Sequence, residues 1–175
     1  MKVFVPCDQY QAKAIVKAVA DIDGPCYVRL GRCAVEDVYD ESYRFELGKG
    51  RVLKEGKKVA LVATGMMVQE ALKAADILAK EDISITVVDM PCIKPIDEEL
   101  IEKIAKSHEL IITCEEHNVY GGLGSAVSEV TSKKSPVRME MMGMQDTFGE
   151  SGTPNELLAK YGLNADHIVE KVKEC

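Results

Sequence analysis

One short segment of the chain combines acidic residues, a histidine and several glycines. It reads Glu115-Glu116-His117-Asn118-Val119-Tyr120-Gly121-Gly122-Leu123-Gly124-Ser125 and follows an apolar run typical of a buried strand. Carboxylates beside a histidine can transfer protons near neutral pH, because histidine titrates there. Sequence neighbours on an exposed loop do not face one another, however. We therefore favour a hydrogen-bonded loop at a domain or subunit contact for Glu115, Glu116 and His117, and acid–base chemistry is the alternative.

The glycines of the same segment also allow two interpretations. Glycines that lead into a helix can expose backbone N–H groups to a phosphate. The spacing of Gly121, Gly122 and Gly124 is neither Gly-x-Gly-x-x-Gly nor that of a Walker loop. The two adjacent carboxylates would also repel a phosphate. A tight strand-to-helix turn with close packing is the favoured interpretation.

Two arginines, Arg29 and Arg32, stand at the end of a second apolar run. A guanidinium at the carboxyl end of a strand is suited to bidentate binding of a phosphate or a carboxylate. A structural salt bridge with the acidic segment that follows is the alternative. The chemistry of the residues alone leaves both open.

The cysteines do not predict a metal or redox site. None of the six forms a Cys-x-x-Cys pair, so zinc and thioredoxin-type sites are excluded by spacing. The N-terminus lacks an apolar stretch long enough for a signal peptide. These features favour a reduced, cytoplasmic protein whose cysteines are mostly small buried apolar residues.

Apolar runs that alternate with helical periodicity indicate the elements that position these residues. The first thirty or so residues predict a βαβ unit, with strands at Lys2–Val5 and Cys26–Leu30 and a helix capped by Asp8. Further strands are predicted at Val59–Ala63, Ser84–Asp89, Glu109–Cys114 and Pro136–Met142, with helices between them and two more near Pro154–Tyr161 and Asn164–Lys173.

The acidic stretch 33–56 interrupts this alternation and predicts a linker, with a short strand or two near Phe45–Leu47 and Arg51–Leu53. The apolar strands after it, separated by helices, indicate a doubly wound α/β fold. Its mainly parallel sheet would be the middle of three layers. The chain is thus predicted to divide into residues 1–32, 33–56 and 57–175.

Charge and hydropathy exclude two classes of partner. The formal net charge of the 175 residues is −7, and no block of basic residues is present, so nucleic acids and anionic membrane surfaces are poor partners. No apolar run approaches the roughly 18 residues of a membrane span.

Several residue strings resemble those of transketolase-type thiamine diphosphate enzymes, in the order in which that family has them. Gly24–Arg32 resembles the end of the family's pyrimidine-binding domain. Further strings resemble landmarks of the family's C-terminal domain. They are Val59–Gly65, Val88–Met90 with Ile93–Asp97, Glu115–Gly124, Thr147–Gly152, Glu156–Leu158 and Tyr161–Leu163. The chain is similar to the family over nearly its whole length.

The resemblance implies that residues 1–32 are the tail of the pyrimidine-binding domain and that 57–175 are the C-terminal domain, preceded by the linker 33–56. The family's pyrophosphate-binding domain and its Gly-Asp-Gly motif have no counterpart in this sequence. The glutamate that activates the aminopyrimidine ring would lie before Met1. We therefore expect a C-terminal section of a transketolase, a fragment or a late-starting gene product, which is inactive alone.

The resemblance also implies a reaction and a site. The complete enzyme would transfer a two-carbon ketol unit between sugar phosphates in pentose phosphate metabolism. It would use thiamine diphosphate and a divalent metal, Mg²⁺, neither of which is expected on this chain alone. Arg32 matches the family's arginine that contacts the sugar phosphate, and Arg29 is a weaker candidate. No catalytic, cofactor-binding or metal-binding residue is expected in this chain.

The expected partners are an N-terminal section that supplies the missing domains and a second copy in a homodimer. Because residues 1–32 would leave unpaired strand edges, we also expect self-association or a less ordered start of the chain. Three alternatives stay open. They are a non-catalytic assembly or regulatory module, the C-terminal part of a deoxyxylulose-phosphate synthase or of a 2-oxoacid dehydrogenase β subunit, and a flavodoxin-like binder. The flavodoxin-like interpretation is disfavoured because no phosphate loop follows Val59–Ala63.

Overall fold

A computed structural model describes residues 1–175, which form one five-stranded and one three-stranded sheet with helices around them. The strands are β1 (Lys2–Phe4), β2 (Cys26–Val28), β3 (Arg51–Lys54), β4 (Val59–Ala63), β5 (Thr86–Asp89), β6 (Cys92–Lys94), β7 (Leu110–Asn118) and β8 (Arg138–Met144). The helices are α1 (Gln9–Val19), α2 (Met67–Ala79), α3 (Glu98–Ser107), α4 (Leu123–Lys134), α5 (Pro154–Lys160) and α6 (Ala165–Lys173).

The large sheet has the strand order β3-β5-β4-β7-β8 and is parallel except for β3, which pairs antiparallel with β5. Alternate residues of β4 face opposite sides, because side chains alternate along a strand. Leu61 packs in a core with α2 and α6, whereas Val62 packs in a second core with α3 and α4. This arrangement confirms the predicted three-layer α/β fold with a mainly parallel sheet.

The small sheet has the order β2-β1-β6. β1 pairs parallel with β2 and antiparallel with β6, where Phe4 lies opposite Cys92. Strand β6 was not predicted, since three residues between Pro91 and Pro95 carry no periodic pattern. One edge that we expected to be unpaired is therefore covered from within the chain. The expectation of self-association stays a prediction, and it concerns the outer edge of β2.

The stretch predicted as a linker is packed against both sheets. Tyr43 is buried, and the rings of Phe45 and Phe4 meet edge to face with centroids 5.7 Å apart. A strand is present at Arg51–Lys54, as predicted, but none at Phe45–Leu47. Because β3 pairs with β5, the large sheet begins before residue 57. The three-part division of the chain itself stays a prediction.

Side-chain caps explain where several helices begin. The carboxylates of Asp8 and Asp97 accept from the backbone N–H groups of Gln11 and Leu100, at 2.7 and 3.0 Å, as N-cap residues do. Helix α5 begins with a capping box formed by Thr153 and Glu156. None of the helices is both long and apolar enough to cross a membrane.

Candidate functional site

A cleft of about 890 Å³ opens where the end of β2, the end of β7 and helix α5 meet. We call it the β2–β7 cleft. Its walls include Arg29 and Arg32 after β2, Glu116 and His117 on β7, and Tyr161 after α5. The ends of β2 and β7, which carry the predicted site residues, thus lie close together. Ligands of α/β sheets commonly bind at the carboxyl ends of strands.

Arg32 is the arginine of this cleft that has no partner within the chain. Its side chain is exposed, and it forms no ion pair and no hydrogen bond within the chain. A guanidinium in this state keeps all its donors for a ligand, and its planar fork matches the oxygens of a phosphate. The structure therefore places Arg32 where it can bind an anion that enters the cleft.

Arg29 is already bound to another residue of the chain. Its Nη2 donates to the backbone carbonyl of Glu116 at 2.7 Å and lies 3.1 Å from the Oε2 atom of the same residue. The salt bridge considered from the sequence is therefore present, but its partner is Glu116 on β7 and not the acidic stretch 33–56. The pair joins residues that are 87 positions apart in sequence.

Glu115, Glu116 and His117 do not form a loop, because β7 continues through them to Asn118. Glu115 is only 2% exposed and accepts from the backbone N–H groups of Leu123 and Gly124 at 2.7 and 2.8 Å. Burial raises the pKa of the Glu115 carboxyl, and these two hydrogen bonds oppose the rise. Its carboxylate satisfies the first N–H groups of α4, so Glu115 has a structural role at the helix N-terminus.

The same contact explains the glycines. A Cβ added at Gly122 would overlap with Glu115 Oε2 and come within 2.8 Å of the Asn118 carbonyl oxygen. The N–H groups beyond it are bound by Glu115, which leaves them unavailable to a phosphate. This geometry supports a tight strand-to-helix turn.

Gly122→Ala should therefore destabilise the protein, because either Glu115 or the turn must move. We expect a loss of about 2–3 kcal/mol in the free energy of unfolding, measured by urea denaturation. Gly149→Ala is the control, since a Cβ there meets no atom within 4 Å. Equal effects of the two substitutions would contradict the assigned packing.

His117 faces the β2–β7 cleft with a side chain that is 51% exposed. Its Nδ1 lies 2.9 Å from the Asn118 carbonyl oxygen and 4.0 Å from Glu115 Oε2. A hydrogen bond to a carbonyl requires the proton on Nδ1, which leaves Nε2 as the other polar atom of the ring. The fold brings His117 into the same cleft as Arg32. Their positions in the sequence, far apart, did not indicate this.

A buried polar cluster around Asp89 was missed. Asp89 ends β5, and its Oδ2 accepts from Gln11 Nε2 at 2.6 Å and from the Tyr39 hydroxyl at 2.7 Å. Its Oδ1 is buried without a partner. Desolvation raises the pKa of Asp89 to about 6, against the lowering effect of the two hydrogen bonds. The polar end of β5 was visible in the sequence, but its partners lie 78 and 50 positions away.

Two further contacts extend this cluster. Asp8 Oδ2 accepts from the backbone N–H groups of Val38 and Tyr39 at 2.9 and 2.7 Å. The guanidinium of Arg51 lies 4.4 Å from the centroid of the Tyr43 ring, in cation–π geometry. The cluster thereby links the βαβ unit, the stretch 33–56 and the large sheet. Its role is structural, since it does not line the β2–β7 cleft.

The residues of this chain do not fit a metal site. No group of three or more His, Cys, Asp or Glu side chains could hold a metal ion. Cys7, Cys92 and Cys114 are buried, and burial raises the pKa of each of these thiols. Cys175 is exposed.

Known proteins similar to this chain include several transketolases. A Methanocaldococcus jannaschii protein, provisionally described as a transketolase C-terminal section, is 41% identical over 99% of this chain and 55% of its own length. One of the subunits of the apulose-4-phosphate transketolase of Phocaeicola vulgatus is 39% identical over 99% of this chain and 56% of its own length. The 1-deoxy-D-xylulose-5-phosphate synthase of Nitrosomonas europaea is 35% identical over 98% of this chain and 28% of its own length.

Among solved structures, a split-gene transketolase described as an inactive β4 tetramer superimposes with a TM-score of 0.95. It is 51% identical in sequence, and the match covers 99% of this chain and 57% of that chain. The chain thus spans about half the length of the two transketolase relatives and of this structure. The family described as Transketolase, C-terminal domain, matches residues 48–168. With fold and sequence in agreement over nearly its full length, the chain belongs to the transketolase family.

Proposed function

We propose that this chain acts as the C-terminal section of a transketolase that transfers a two-carbon ketol unit between sugar phosphates. Its partner would be a separate N-terminal section that supplies the missing domains. The support is the similarity to a transketolase C-terminal section and to a split-gene transketolase, each over 99% of this chain. In this proposal the chain is inactive alone and supports assembly and the substrate entrance. It belongs to a cytoplasmic enzyme that contains two copies of it.

The observation that carries the proposal within the structure is the free guanidinium of Arg32 in the β2–β7 cleft. In the assembled enzyme it would bind the phosphate of the sugar and thereby orient the other end of the substrate. His117 and Glu116 would border the same entrance. Thiamine diphosphate and Mg²⁺ would be bound by the N-terminal section, since no group of three or more His, Cys, Asp or Glu side chains of this chain could hold the metal ion.

The first test is capture of the protein from its native source, with the intact mass and the co-purifying chains as readouts. We expect a complex with a chain that carries Gly-Asp-Gly, and this complex should transfer a two-carbon unit from a ketose phosphate to an aldose phosphate. Decarboxylation of pyruvate in place of this transfer would favour the deoxyxylulose-phosphate synthase reaction, to which the Nitrosomonas relative points. A free chain of 19.2 kDa without such a partner would favour an assembly or regulatory module.

The second test is Arg32→Ala in the assembled complex. Loss of a charge-assisted contact with phosphate should raise the KM for the phosphorylated acceptor about 10–100-fold and leave the KM for glycolaldehyde, which has no phosphate, within about twofold. Arg138→Ala is the matched control, because Arg138 is an exposed arginine at the start of β8, outside the cleft. An equal rise for both acceptors would contradict a phosphate contact.

A further inference from the structure

We propose that Arg29 and Glu116 form a positioning pair that sets the location of Arg32 in the β2–β7 cleft, and thereby the preference of the enzyme for phosphorylated sugars. The inference rests on the proposed phosphate contact of Arg32. It assigns Arg29 a role different from that of Arg32, although the two arginines are close in sequence and line the same cleft.

The contact between the pair is suited to fixing a position. Arg29 Nη2 reaches both the backbone carbonyl oxygen of Glu116, at 2.7 Å, and its carboxylate, at 3.1 Å. A guanidinium bound to a backbone atom is tied to the strand itself and not only to a mobile side chain. The side chains of Arg29 and Glu116 are 28% and 38% exposed, so water screens the contact only in part.

The acceptor side of the contact is rigid. Glu116 lies on β7 between two positions that pair with β8, where Cys114 is opposite Met142 and Asn118 is opposite Met144, whereas the pairing with β4 ends at Cys114. The preceding residue, Glu115, is buried and binds the first N–H groups of α4. Glu116 is therefore held between two paired positions of β7 and directly after a residue that is bound to α4.

Arg29 is also the last residue before Arg32 whose backbone forms a hydrogen bond. Its backbone N–H donates to the carbonyl of Phe4 at 2.8 Å, which extends the pairing of β2 with β1 by one residue. Residues 30–33 form no backbone hydrogen bonds, and a Cβ added at Gly31 would meet no atom within 4 Å. The next hydrogen bond along the chain is accepted by the carbonyl of Glu36 from Gln69 Nε2, at 2.8 Å.

Arg32 thus stands on a segment held at one end by Arg29 and at the other end by a contact four residues later. Loss of the contact between Arg29 and Glu116 loosens the near end of this segment, because it leaves only the backbone hydrogen bond from Arg29 to Phe4 there. The guanidinium of Arg32 would then occupy more positions. Phosphate binding would have to restrict it to one of them, and this ordering weakens the binding. This loss of binding free energy applies only to substrates whose phosphate contacts Arg32. A general loss of protein stability would affect all substrates alike.

The test uses the enzyme assembled with its N-terminal section, with a phosphorylated aldose and glycolaldehyde as alternative acceptors. Arg29→Met keeps the length of the side chain and removes its donors. We expect it to raise the KM for the phosphorylated acceptor about tenfold, with kcat and the KM for glycolaldehyde within about twofold. Glu116→Gln keeps the carbonyl contact and should raise the same KM by a factor of only about two to three. Arg29→Lys should restore part of the loss.

A double-variant cycle distinguishes the pair from an independent phosphate contact. If Arg29 acts through Arg32, then adding Arg29→Met to Arg32→Ala leaves the KM for the phosphorylated acceptor within about twofold of that of Arg32→Ala alone. Multiplicative effects would overturn the inference and make Arg29 a phosphate contact itself. A drop in kcat with both acceptors would overturn it in favour of a purely structural contact. An Arg32→Ala variant with unchanged KM would instead overturn the proposed function, and the inference with it.

Discussion

Glu115→Ala is expected to lower the free energy of unfolding by about 3 kcal/mol. The substitution removes the acceptor of two backbone N–H groups at the start of α4, those of Leu123 and Gly124. Both of these residues are buried, and each unsatisfied buried donor costs about 1–3 kcal/mol. Part of this is offset, because desolvation of the Glu115 carboxyl raises its pKa and the variant no longer buries that group. For a chain of 175 residues the change corresponds to a fall in Tm of about 6–12 °C.

Urea unfolding followed by circular dichroism measures this effect. Glu109→Ala is the matched control, because Glu109 is exposed just before the same strand and its side chain binds nothing. We expect the control to change the free energy of unfolding by less than about 0.5 kcal/mol. If the two substitutions had the same effect, the Glu115 carboxylate would not be satisfying the start of α4.

Asp89→Asn is expected to stabilise the protein, relative to the unsubstituted chain, more at pH 7 than at pH 4. In the folded protein the pKa of Asp89 is about 6, against an ordinary value of 3.8, because the carboxyl is fully buried. The folded state therefore binds the Asp89 proton more tightly than the unfolded chain does. Between these two values the free energy of unfolding falls as the pH rises, and above about pH 6 the whole penalty is present.

A pKa difference of this size corresponds to about 3 kcal/mol. Asparagine keeps a carbonyl oxygen for Gln11 and Tyr39 but does not ionise. The variant's unfolding free energy minus that of the unsubstituted chain should rise by about 2 kcal/mol from pH 4 to pH 7, because the unfolded carboxyl is already more than half ionised at pH 4. Taking this difference cancels the titration of the other carboxyl groups.

The measurement is a series of urea unfolding curves between pH 4 and pH 7 for both proteins. Asp21→Asn serves as the control, since Asp21 is exposed and its side chain has no hydrogen bond. Its effect should stay below about 0.5 kcal/mol across the series. A pH-independent difference for Asp89→Asn would show that the buried cluster holds the carboxylate as easily as water does.

The sequence by itself determined the layered α/β architecture, because its signal is local. Val59–Ala63 is apolar at every position, which is typical of a strand covered on both faces, and it forms β4 with the predicted bounds. The helices that follow carry their apolar residues at helical spacing, and α2 begins where that spacing begins. The ordered residue strings also carried the resemblance to the family, to which fold and sequence comparison assign the chain.

Tertiary structure alone decided the roles of the polar residues. Glu115, next to Glu116 and His117 in sequence, points into the protein to hold α4, whereas His117 faces the cleft. These two residues are two positions apart and would share a face in a regular strand, but the register of β7 against β8 is irregular between Cys114 and Asn118. Arg29 was the weaker of the two phosphate-binding candidates in the sequence, and only the structure showed that it is bound to a partner 87 positions away. Hydrogen bonds between distant segments depend on how the layers pack, which no local pattern of residues encodes.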